Sequence, residues 1–528
     1  MTSYDAIIIG SGFGGAVTAC RLAQKGFKVL VLERGRRWEA DKYPRVAGAS
    51  WIWDHAQPHL LNGWLDLRFF KGMAVAQGSG VGGGSLIYAN VSVDAPPGAF
   101  DSGWPPEITH DMMRPHYDRV GRMLGLQTIP ENQRPERHHL VKQAAEALGH
   151  GARFRPLPLA VSFDPEWSWD RKDPTSPEHS KRWINEHGQE QGTCVHCGNC
   201  CVGCEVKAKN TLDLNYIPVA EKNGAEVRPL HLVTRIERDD REGYRVHYQR
   251  VGDLRGKHES VVGRRVILAA GSLGSTELLL RARDQHGTLP NLSPALGKDW
   301  SSNGDFLTPA IYRGRKISPS RGPTISCAVD FLDGSQDGSR FFIEDGGWPD
   351  VLRGHFEGSV KFPTKSERWS IVLAAFGQLL RTRDPQSAVM PWFAQGIDAA
   401  DGQLHLGRVW YAPWRRTLKL KWKIHQSRKV IEAIVAMHKK MAEATGGRAH
   451  VPEGWSFLHS LITPHPLGGC KMGVTREDGV VDHAGQVFGY PGLYVADGAI
   501  IPRAIGLNPS KTIAALAEHV AEVMTDKA

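Results

Sequence analysis

Apolar runs of strand length, helix-length periodic stretches and glycine clusters alternate along this chain, and the clearest such unit stands at its start. Residues 5–9 form an apolar run typical of a buried parallel strand, and residues 28–32 form a second one. Between them, residues 16–26 have the periodicity of a helix with small and aliphatic residues facing inward. The pattern therefore predicts the strand–turn–helix–strand unit of a parallel α/β sheet.

The turn of this unit carries a dinucleotide-binding fingerprint. Gly10, Gly12 and Gly15 fit G-x-G-x-x-G, which gives a tight turn, room for a pyrophosphate and close helix–strand packing. Glu33 follows the second strand, where a carboxylate accepts hydrogen bonds from ribose hydroxyls and disfavours NADP. An ordinary glycine-rich turn is the alternative, but the order of strand, turn, helix, strand and acid favours a site for FAD or NAD. The Glu-x-Gly spacing up to Gly35 is common in FAD proteins.

A second glycine patch, residues 78–85, is followed by the apolar run 86–90. Five glycines in eight positions are too many for the interior of a helix or strand. Such a patch is either a flexible linker or backbone that closely approaches a flat ligand. Because it lies between apolar segments, we favour the ligand.

The middle of the chain is predicted to contain helices, loops and further strands. Helices are predicted over 109–124, with its regular part beginning at Pro115, and over 134–148, whereas 36–70 and 163–192 read as loops. Strand-like runs at 226–227, 231–236, 244–248 and 265–271 and a helix over 275–280 would complete the nucleotide-binding sheet.

Residues 306–458 have a different texture, with strand-like runs at 370–377, 404–410 and 418–424 and a helix over 426–445. They predict an antiparallel sheet with helical cover. Leu418 and Leu420 alternate with Lys419 and Lys421, so the basic segment beyond Trp410 is interpreted as the wet face of a strand rather than as a membrane or nucleic-acid patch.

Composition narrows the class of protein. The 528 residues include 65 Lys+Arg against 56 Asp+Glu, and this net charge of +9 is spread along the chain without a nucleic-acid-binding motif. The sequence has neither a secretory signal pattern nor an apolar run long enough for a membrane span, so we expect a cytoplasmic protein that binds neither nucleic acid nor a bilayer core. Five of the eight cysteines fall within residues 194–204, which indicates a metal or redox cluster rather than a disulfide framework.

The last seventy residues carry candidate chemistry. His465 lies in Pro-His-Pro-Leu-Gly-Gly-Cys, and the strand 493–496 ends on Asp497-Gly498. Asn508 and Pro509 precede a helix over 511–524, where they suit the N-cap and the first helical position. The N-terminus of that helix would direct its positive dipole end at a group that gains negative charge, as a reduced flavin does.

Taken together, these motifs resemble the glucose–methanol–choline (GMC) family of FAD-dependent alcohol oxidoreductases, and within it the cholesterol-oxidase-like branch. The resemblance runs nearly end to end. It implies a Rossmann-like α/β FAD-binding fold, an interposed α+β substrate domain on an antiparallel sheet, and hydride transfer from an alcohol carbon to flavin N5. The expected division is 1–100, 193–305 and 459–528 for the FAD-binding parts, 101–192 for a helical and loop insertion, and 306–458 for the substrate domain.

The resemblance also implies roles for individual residues. His465 matches the family's active-site histidine and Asn508 its asparagine partner, although each has a structural alternative as a buried histidine or a plain N-cap. Glu344 is nominated from a short likeness to the glutamate of sterol oxidases, with Asp345 beside it as a competitor. The residues expected to hold the cofactor are Gly10, Gly12, Phe13, Gly14, Gly15, Glu33, Gly82, Gly83, Gly84, Ser85, Asn90, Val233, Gly271, Asp497, Gly498, Asn508 and Pro509.

The cysteine run has the spacing of an iron–sulfur ligand set. Cys194, Cys197, Cys200 and Cys204 follow the bacterial ferredoxin pattern without its final proline. The pairs are too close together for a structural zinc site. Free thiols in a packed turn are the alternative.

These observations predict an FAD enzyme that oxidises a bulky, apolar secondary alcohol, with a 3β-hydroxysteroid as first candidate. Electrons would pass to oxygen, a quinone or a cytochrome rather than to NAD(P). The alternatives are a dehydrogenase for another alcohol and a flavin-containing electron-transfer subunit. A flavin disulfide reductase is disfavoured because Cys20 has no partner cysteine beside the first helix.

Overall fold

The N-terminal unit has the predicted strand–helix–strand form. The computed structural model describes residues 3–44, 49–239, 243–252, 258–349, 388–409, 412–452 and 461–526. It contains the strand Ser3–Ile9, the helix Phe13–Gln24 and the strand Val29–Leu32. The helix begins three residues before the predicted start because the fingerprint turn itself opens it.

This unit lies at the centre of a seven-stranded sheet. Ser3–Ile9 pairs in parallel with Val29–Leu32 on one side and with His258–Leu268 on the other. His258–Leu268 pairs antiparallel with Tyr244–Arg250 along its first half and parallel with Leu493–Val495 along its last residues. Glu226–Arg228 and His231–Arg238 complete the sheet. The carboxyl ends of its parallel strands meet at one edge, which is where doubly wound sheets bind ligands.

Helices flank the sheets and join distant parts of the chain. In the described ranges the α-helices are Phe13–Gln24, His110–Met123, Glu136–Ala147, Tyr216–Lys222, Gly271–Leu280, Ile424–Ala444 and Ser510–Asp526. The first and last are joined by Arg21, whose Nε and Nη2 each donate to the fully buried carboxylate of Glu518 at 2.7 Å. The C-terminal segment is therefore part of the nucleotide-binding layer.

A six-stranded antiparallel sheet forms a second layer. Its order is Gly447–Ala449, Phe306–Tyr312, Val389–Gly396, Phe341–Asp345, Cys327–Asp330 and Phe154–Pro156. The helices Ile424–Ala444 and Glu136–Ala147 pack against it. This confirms an antiparallel sheet with helical cover, built into an α/β fold.

Some of the predicted strands lie elsewhere. Gln403–Val409 and Ala412–Lys421 pair with each other as a separate hairpin rather than joining the six-stranded sheet, with Leu418 and Leu420 buried as predicted. The predicted strand 370–377 lies outside the described residues. The limits of the five domains stay a prediction.

Segments predicted as loops contain strands. A four-stranded sheet is formed by Ile52–Trp53, Leu65–Phe70, Met73–Gly78 and Leu461–Thr463. Short pairs join Arg182–Ile184 with Glu190–Gly192 and Gln127–Thr128 with Pro158–Leu159. Because tryptophans and prolines are frequent in 36–70, the strand-like alternation of apolar and polar residues in Leu65–Phe70 was not recognised.

The first predicted helix of the insertion lies within its predicted range of 109–124, but its regular part begins before Pro115. His110–Met123 starts before Pro115, because the Thr109 hydroxyl accepts from the backbone N–H of Met112 at 3.2 Å and caps the first turn. Pro115 lies in that helix.

Candidate active site

Three glycines in and beside the fingerprint turn are required by close contact between backbones, namely Gly10 and Gly15 of the fingerprint and Gly14 between them. A Cβ on Gly10 would lie 2.4 Å from the carbonyl oxygen of Ala269, one on Gly14 would lie 1.8 Å from that of Ala496, and one on Gly15 would lie 2.0 Å from that of Gly10. The neighbouring strands therefore press directly on the turn.

Gly12 differs from these three, because a Cβ there would meet nothing nearer than 3.8 Å. Its lack of a side chain leaves open space beside the turn rather than serving protein packing. A pyrophosphate needs such space against the backbone.

The second glycine patch packs on the first, so it is not a flexible linker. A Cβ on Gly83 would lie 2.5 Å from the Cα of Gly12, and Gly82 has a φ of +103°, which favours glycine. The Ser85 hydroxyl donates to the carbonyl of Gly82 at 2.7 Å and fixes the loop. A Cβ on Gly84 would meet nothing within 4 Å, so the patch also borders open space.

Glu33 lies where the fingerprint turn meets the second patch. It is buried, and its Oε2 accepts from the backbone N–H and the hydroxyl of Ser11 at 3.0 and 2.7 Å, while Oε1 accepts from the N–H of Gly35 at 2.8 Å. These contacts hold the carboxylate beside the turn with acceptor capacity to spare. The strand that contains Val233 starts against it, since His231 N donates to the Glu33 carbonyl at 2.8 Å.

Two of the residues expected to bind the cofactor have buried polar atoms without a hydrogen-bond partner among the described residues. Asn90 is fully buried in the left-handed region (φ +70°), and both atoms of its amide group lack a partner among the described residues. Asn508 is also buried, and its Oδ1 is unpartnered in the same way. Buried polar groups are normally hydrogen-bonded, so these atoms indicate a ligand. Together with the space beside Gly12 and Gly84, they fit FAD.

The carboxylate of Asp497 accepts hydrogen bonds from other parts of the protein. Its Oδ2 accepts from Gly271 N at 2.8 Å and from the Ser275 hydroxyl at 2.5 Å, and its Oδ1 accepts from Ala499 N at 2.8 Å. Burial raises its pKa to about 6, against these hydrogen bonds, which lower it. Asp497 thus ties the strand Leu493–Val495 to the start of the helix Gly271–Leu280. Among the other candidates, Phe13 contacts the ring of Tyr88 edge-on at 5.4 Å.

His465 is held by a buried acid that the sequence did not predict. Its Nδ1 lies 2.8 Å from Oδ1 of Asp305, which is fully buried at the start of the six-stranded sheet. The Thr463 hydroxyl accepts from His465 N at 2.9 Å and lies 2.5 Å from Oδ2 of the same aspartate. The imidazole itself keeps 17% of its side chain exposed, so it is reachable.

Glu344 and Asn508 meet in the interior, 164 residues apart in sequence. Asn508 Nδ2 donates to Glu344 Oε2 at 3.4 Å, and Gln395 Nε2 donates to the same oxygen at 2.8 Å. Burial raises the pKa of Glu344 to about 8, and the hydrogen bond from Gln395 opposes this rise. The side chain of Asn508 therefore points to Glu344 and does not act as a plain N-cap.

The two pairs face one site. Phe393 is the cross-strand partner of Glu344, and its ring centre lies 6.3 Å from that of His465. The charge of Asp305 contributes to the raised pKa of Glu344. The structure thus places His465 and the pair Glu344–Asn508 in the same region of the interior, and their catalytic roles stay a prediction.

Asp345, the competitor of Glu344, is committed elsewhere. It forms a fully buried ion pair with Arg137 at 2.9 Å and accepts from Ser326 N and Cys327 N at 2.6 and 2.8 Å. Burial raises its pKa, and the guanidinium of Arg137 opposes that rise. Asp345 therefore joins strands and does not enter the site.

The two glycines after His465 are required by protein packing. A Cβ on Gly468 would lie 2.3 Å from the Asp299 carbonyl oxygen, and one on Gly469 would lie 2.4 Å from Thr276 Oγ1. They let the loop after His465 pack closely on its neighbours.

The cysteine run gives the iron–sulfur prediction no support. Among the residues described, no group of three or more His, Cys, Asp or Glu side chains is placed to hold a metal ion. Cys194, Cys197 and Cys204 pack against the apolar side chains of Val195, Val206 and Ala208. Burial raises the pKa of Cys194 and Cys204, and nearby thiols raise that of Cys194 further. As placed, the thiols do not fit a cluster.

Sequence reasoning missed Asp305, Thr463 and Gln395. Asp305 is one of many acids, and nothing in the spacing links it to a histidine 160 residues away. Gln395 is a polar residue in an otherwise apolar strand, and this was the signal in the sequence that could have found it.

Within the described ranges, no helix combines the length and apolar character needed to cross a membrane.

Comparisons with known proteins agree with this geometry. Family models described as GMC oxidoreductase match residues 183–299 and 400–517, and one for an NAD(P)-binding Rossmann-like domain matches residues 8–64. The chain is 33% identical to a cholesterol oxidase of Acinetobacter baumannii, over 98% of this chain and 93% of that protein. It is 32% identical to a cholesterol oxidase of Mycobacterium tuberculosis, over 99% and 91%.

Among solved structures, a formate oxidase of Aspergillus oryzae has the same fold. It superimposes with a TM-score of 0.66 at 13% identity and covers 100% of this chain and 98% of its own. The fold of the chain is therefore a known one. The chain is a member of the GMC oxidoreductase family, and it is an FAD-dependent alcohol oxidoreductase.

Proposed function

We propose that this protein oxidises a bulky, apolar secondary alcohol, with a 3β-hydroxysteroid as first candidate, and passes the electrons to an acceptor other than NAD(P). The observation that carries the proposal is the convergence of His465 with the buried pair Glu344–Asn508. The similarity to cholesterol oxidases over nearly the whole chain supports the choice of substrate class.

Each side chain has a definite task in this proposal. When bound, FAD supplies a hydride acceptor at N5. His465 accepts the hydroxyl proton, because its Nδ1 is occupied by Asp305 and its Nε2 is the nitrogen left for the substrate. Asn508 binds the alcohol oxygen through its amide. Glu344, with a pKa of about 8, keeps its proton at neutral pH and adds no charge to the site.

The N-terminus of the helix Ser510–Asp526 follows Asn508 and Pro509 directly. Its positive dipole end favours the negative charge that a reduced cofactor gains. Phe393 offers an aromatic surface beside His465 for an apolar substrate.

An anaerobic screen by flavin bleaching tests the substrate. We expect a 3β-hydroxysteroid to bleach the flavin, and the 3α-epimer and a short alcohol to leave it oxidised. His465→Ala should retain FAD but lower the rate of bleaching about 10²-fold or more. Bleaching by a long-chain primary alcohol alone would move the proposal to another alcohol. A flavin that no alcohol bleaches would identify an electron-transfer subunit.

The electron acceptor is tested separately. The cysteine spacing predicts a cluster that the placement of the thiols does not support. Iron, acid-labile sulfide and a preference for dye acceptors, with dye-linked turnover but not bleaching abolished in Cys197→Ser, would decide for the spacing. Iron-free protein that produces one peroxide per alcohol would instead be an oxidase whose cysteines are packed thiols.

A further inference from the structure

Asp305 occupies a position from which it acts on the reaction through His465. Asp305 is only 1% exposed to solvent, and its Oδ1 lies 2.8 Å from Nδ1 of His465. We propose that Asp305 is a positioning residue that accepts the Nδ1 proton of His465 and thereby leaves Nε2 free to accept the hydroxyl proton of the alcohol. This inference rests on the proposed function, in which His465 is the proton acceptor.

Thr463 fixes the geometry of the pair. Its hydroxyl oxygen accepts from the backbone N–H of His465 at 2.9 Å and lies 2.5 Å from Asp305 Oδ2. One threonine thus holds the backbone of the histidine and the carboxyl group of the aspartate. The imidazole orientation is set from both ends.

The hydrogen bonds around Asp305 fit a carboxylate that accepts from His465. Oδ1 accepts Nδ1–H of His465, and Oδ2 lies 2.5 Å from the hydroxyl of Thr463, which also lies 2.9 Å from the carbonyl oxygen of Ser302. A neutral imidazole that donates through Nδ1 is unprotonated on Nε2. Burial raises the pKa of Asp305, and the charge and hydrogen bond of the adjacent imidazole oppose that rise.

The charge of the pair changes during the reaction. When Nε2 takes the hydroxyl proton, the imidazole becomes an imidazolium beside the carboxylate, and an opposite charge within about 4 Å favours the charged form. The O–H bond of the alcohol breaks and the Nε2–H bond forms, the electron pair left on oxygen forms the carbonyl, and the C–H bond breaks as its hydrogen leaves as hydride for a bound flavin. Asp305 neither gains nor loses a proton in this step.

The test is Asp305→Asn in the FAD-loaded enzyme. The amide can donate to Nδ1 and favour the wrong tautomer, so we expect flavin reduction at saturating alcohol to slow about 10²-fold or more, with FAD still bound. The acidic limb of the pH–rate profile should move to lower pH, because the imidazolium loses its negative neighbour. Glu344 also faces the pair, and its titration near pH 8 affects the alkaline limb in both enzymes.

Asp398→Asn is the matched control. Asp398 is a buried acid that accepts from Ser301 Oγ at 2.8 Å and from Ser302 N at 2.9 Å, and its hydrogen bonds among the described residues do not include His465. This variant should keep the position of the acidic limb. A wild-type rate and profile in Asp305→Asn, or the same shift of the limb in Asp398→Asn, would overturn the proposal.

A second readout does not depend on turnover. In protein labelled with ¹⁵N-histidine, the His465 signals are those lost in His465→Gln, and we expect them to report protonation on Nδ1 in the neutral wild-type protein. Protonation on Nε2 would overturn the inference, even if Asp305→Asn failed to fold. If no alcohol bleached the wild-type flavin, the proposed function would fail while this measurement still decided whether Asp305 sets the tautomer.

Discussion

Replacing Glu344 with glutamine is expected to remove a large part of the pH dependence of stability in the FAD-free protein. The native state raises the pKa of Glu344 from 4.5 to about 8, chiefly through burial. The native state therefore holds its proton at pH values where the unfolded chain has lost it. Stability contributed by this group is present below the unfolded value and is lost as pH rises from 4.5 towards 8.

The magnitude follows from the shift. At about 1.4 kcal/mol per pKa unit, raising the pKa of Glu344 from 4.5 to about 8 corresponds to about 5 kcal/mol of folding stability. All of it is lost once the pH lies well above the native-state pKa. At pH 5 the carboxyl of the unfolded state has already lost about three quarters of its proton, whereas the native state loses about half only by pH 8, so about 3.5 kcal/mol of stability is lost in that interval. Glutamine does not titrate and keeps an oxygen for Gln395 and Asn508.

Urea unfolding of the FAD-free proteins at pH 5 and pH 8, followed by tryptophan fluorescence, measures this difference. The wild type should lose about 3.5 kcal/mol more than Glu344→Gln across the interval. Other buried acids, including Asp305 and Asp345, titrate in both proteins and cancel in the comparison. Glu186→Gln, a change at a carboxylate with 77% of its side chain exposed, should behave as the wild type. Equal losses in the wild type and Glu344→Gln would refute the reasoning.

Three further outcomes follow from the site. The purified protein should release FAD rather than NAD on denaturation, and Glu33→Gln should weaken FAD binding by about 1–3 kcal/mol, as measured by fluorescence titration. Gly84→Ala should weaken FAD binding tenfold or more and leave the melting temperature of the FAD-free protein unchanged, like the loop control Gly98→Ala, because its Cβ meets no protein atom within 4 Å. Asn508→Ala should slow flavin reduction and lower the flavin potential, and an unchanged potential in spectroelectrochemical titration would contradict its place beside the cofactor.

Local sequence determined the elements of the nucleotide-binding layer. The fingerprint turn, its two strands and the helix Phe13–Gln24 depend on contacts between near neighbours, which apolar periodicity and glycine spacing reveal. The helix Ser510–Asp526 and the strand His258–Leu268 were found for the same reason. Their assembly into one sheet came from the family resemblance rather than from periodicity.

Contacts between distant residues account for what was missed. Asp305 and His465 come together only when the chain folds. They lie 160 residues apart, and no periodic pattern in the sequence extends over that distance. The hairpin Gln403–Val409 and Ala412–Lys421 had the right alternation, but alternation does not say which strand is the partner. Whether five cysteines bind iron depends on where their sulfur atoms converge, which spacing does not fix.

The pairing of His258–Leu268 with Leu493–Val495 has a consequence for biosynthesis. Ile267 lies opposite Tyr494, and the helix that follows packs on Phe13–Gln24 through Glu518. A nascent chain can form its first strand–helix–strand unit early, but it cannot complete the seven-stranded sheet until residues 493–495 have left the ribosome. A chain that stops before residue 493 also lacks Asn508 and the helix Ser510–Asp526, so the folding of the cofactor-binding layer waits on residues more than 450 positions from its first strand.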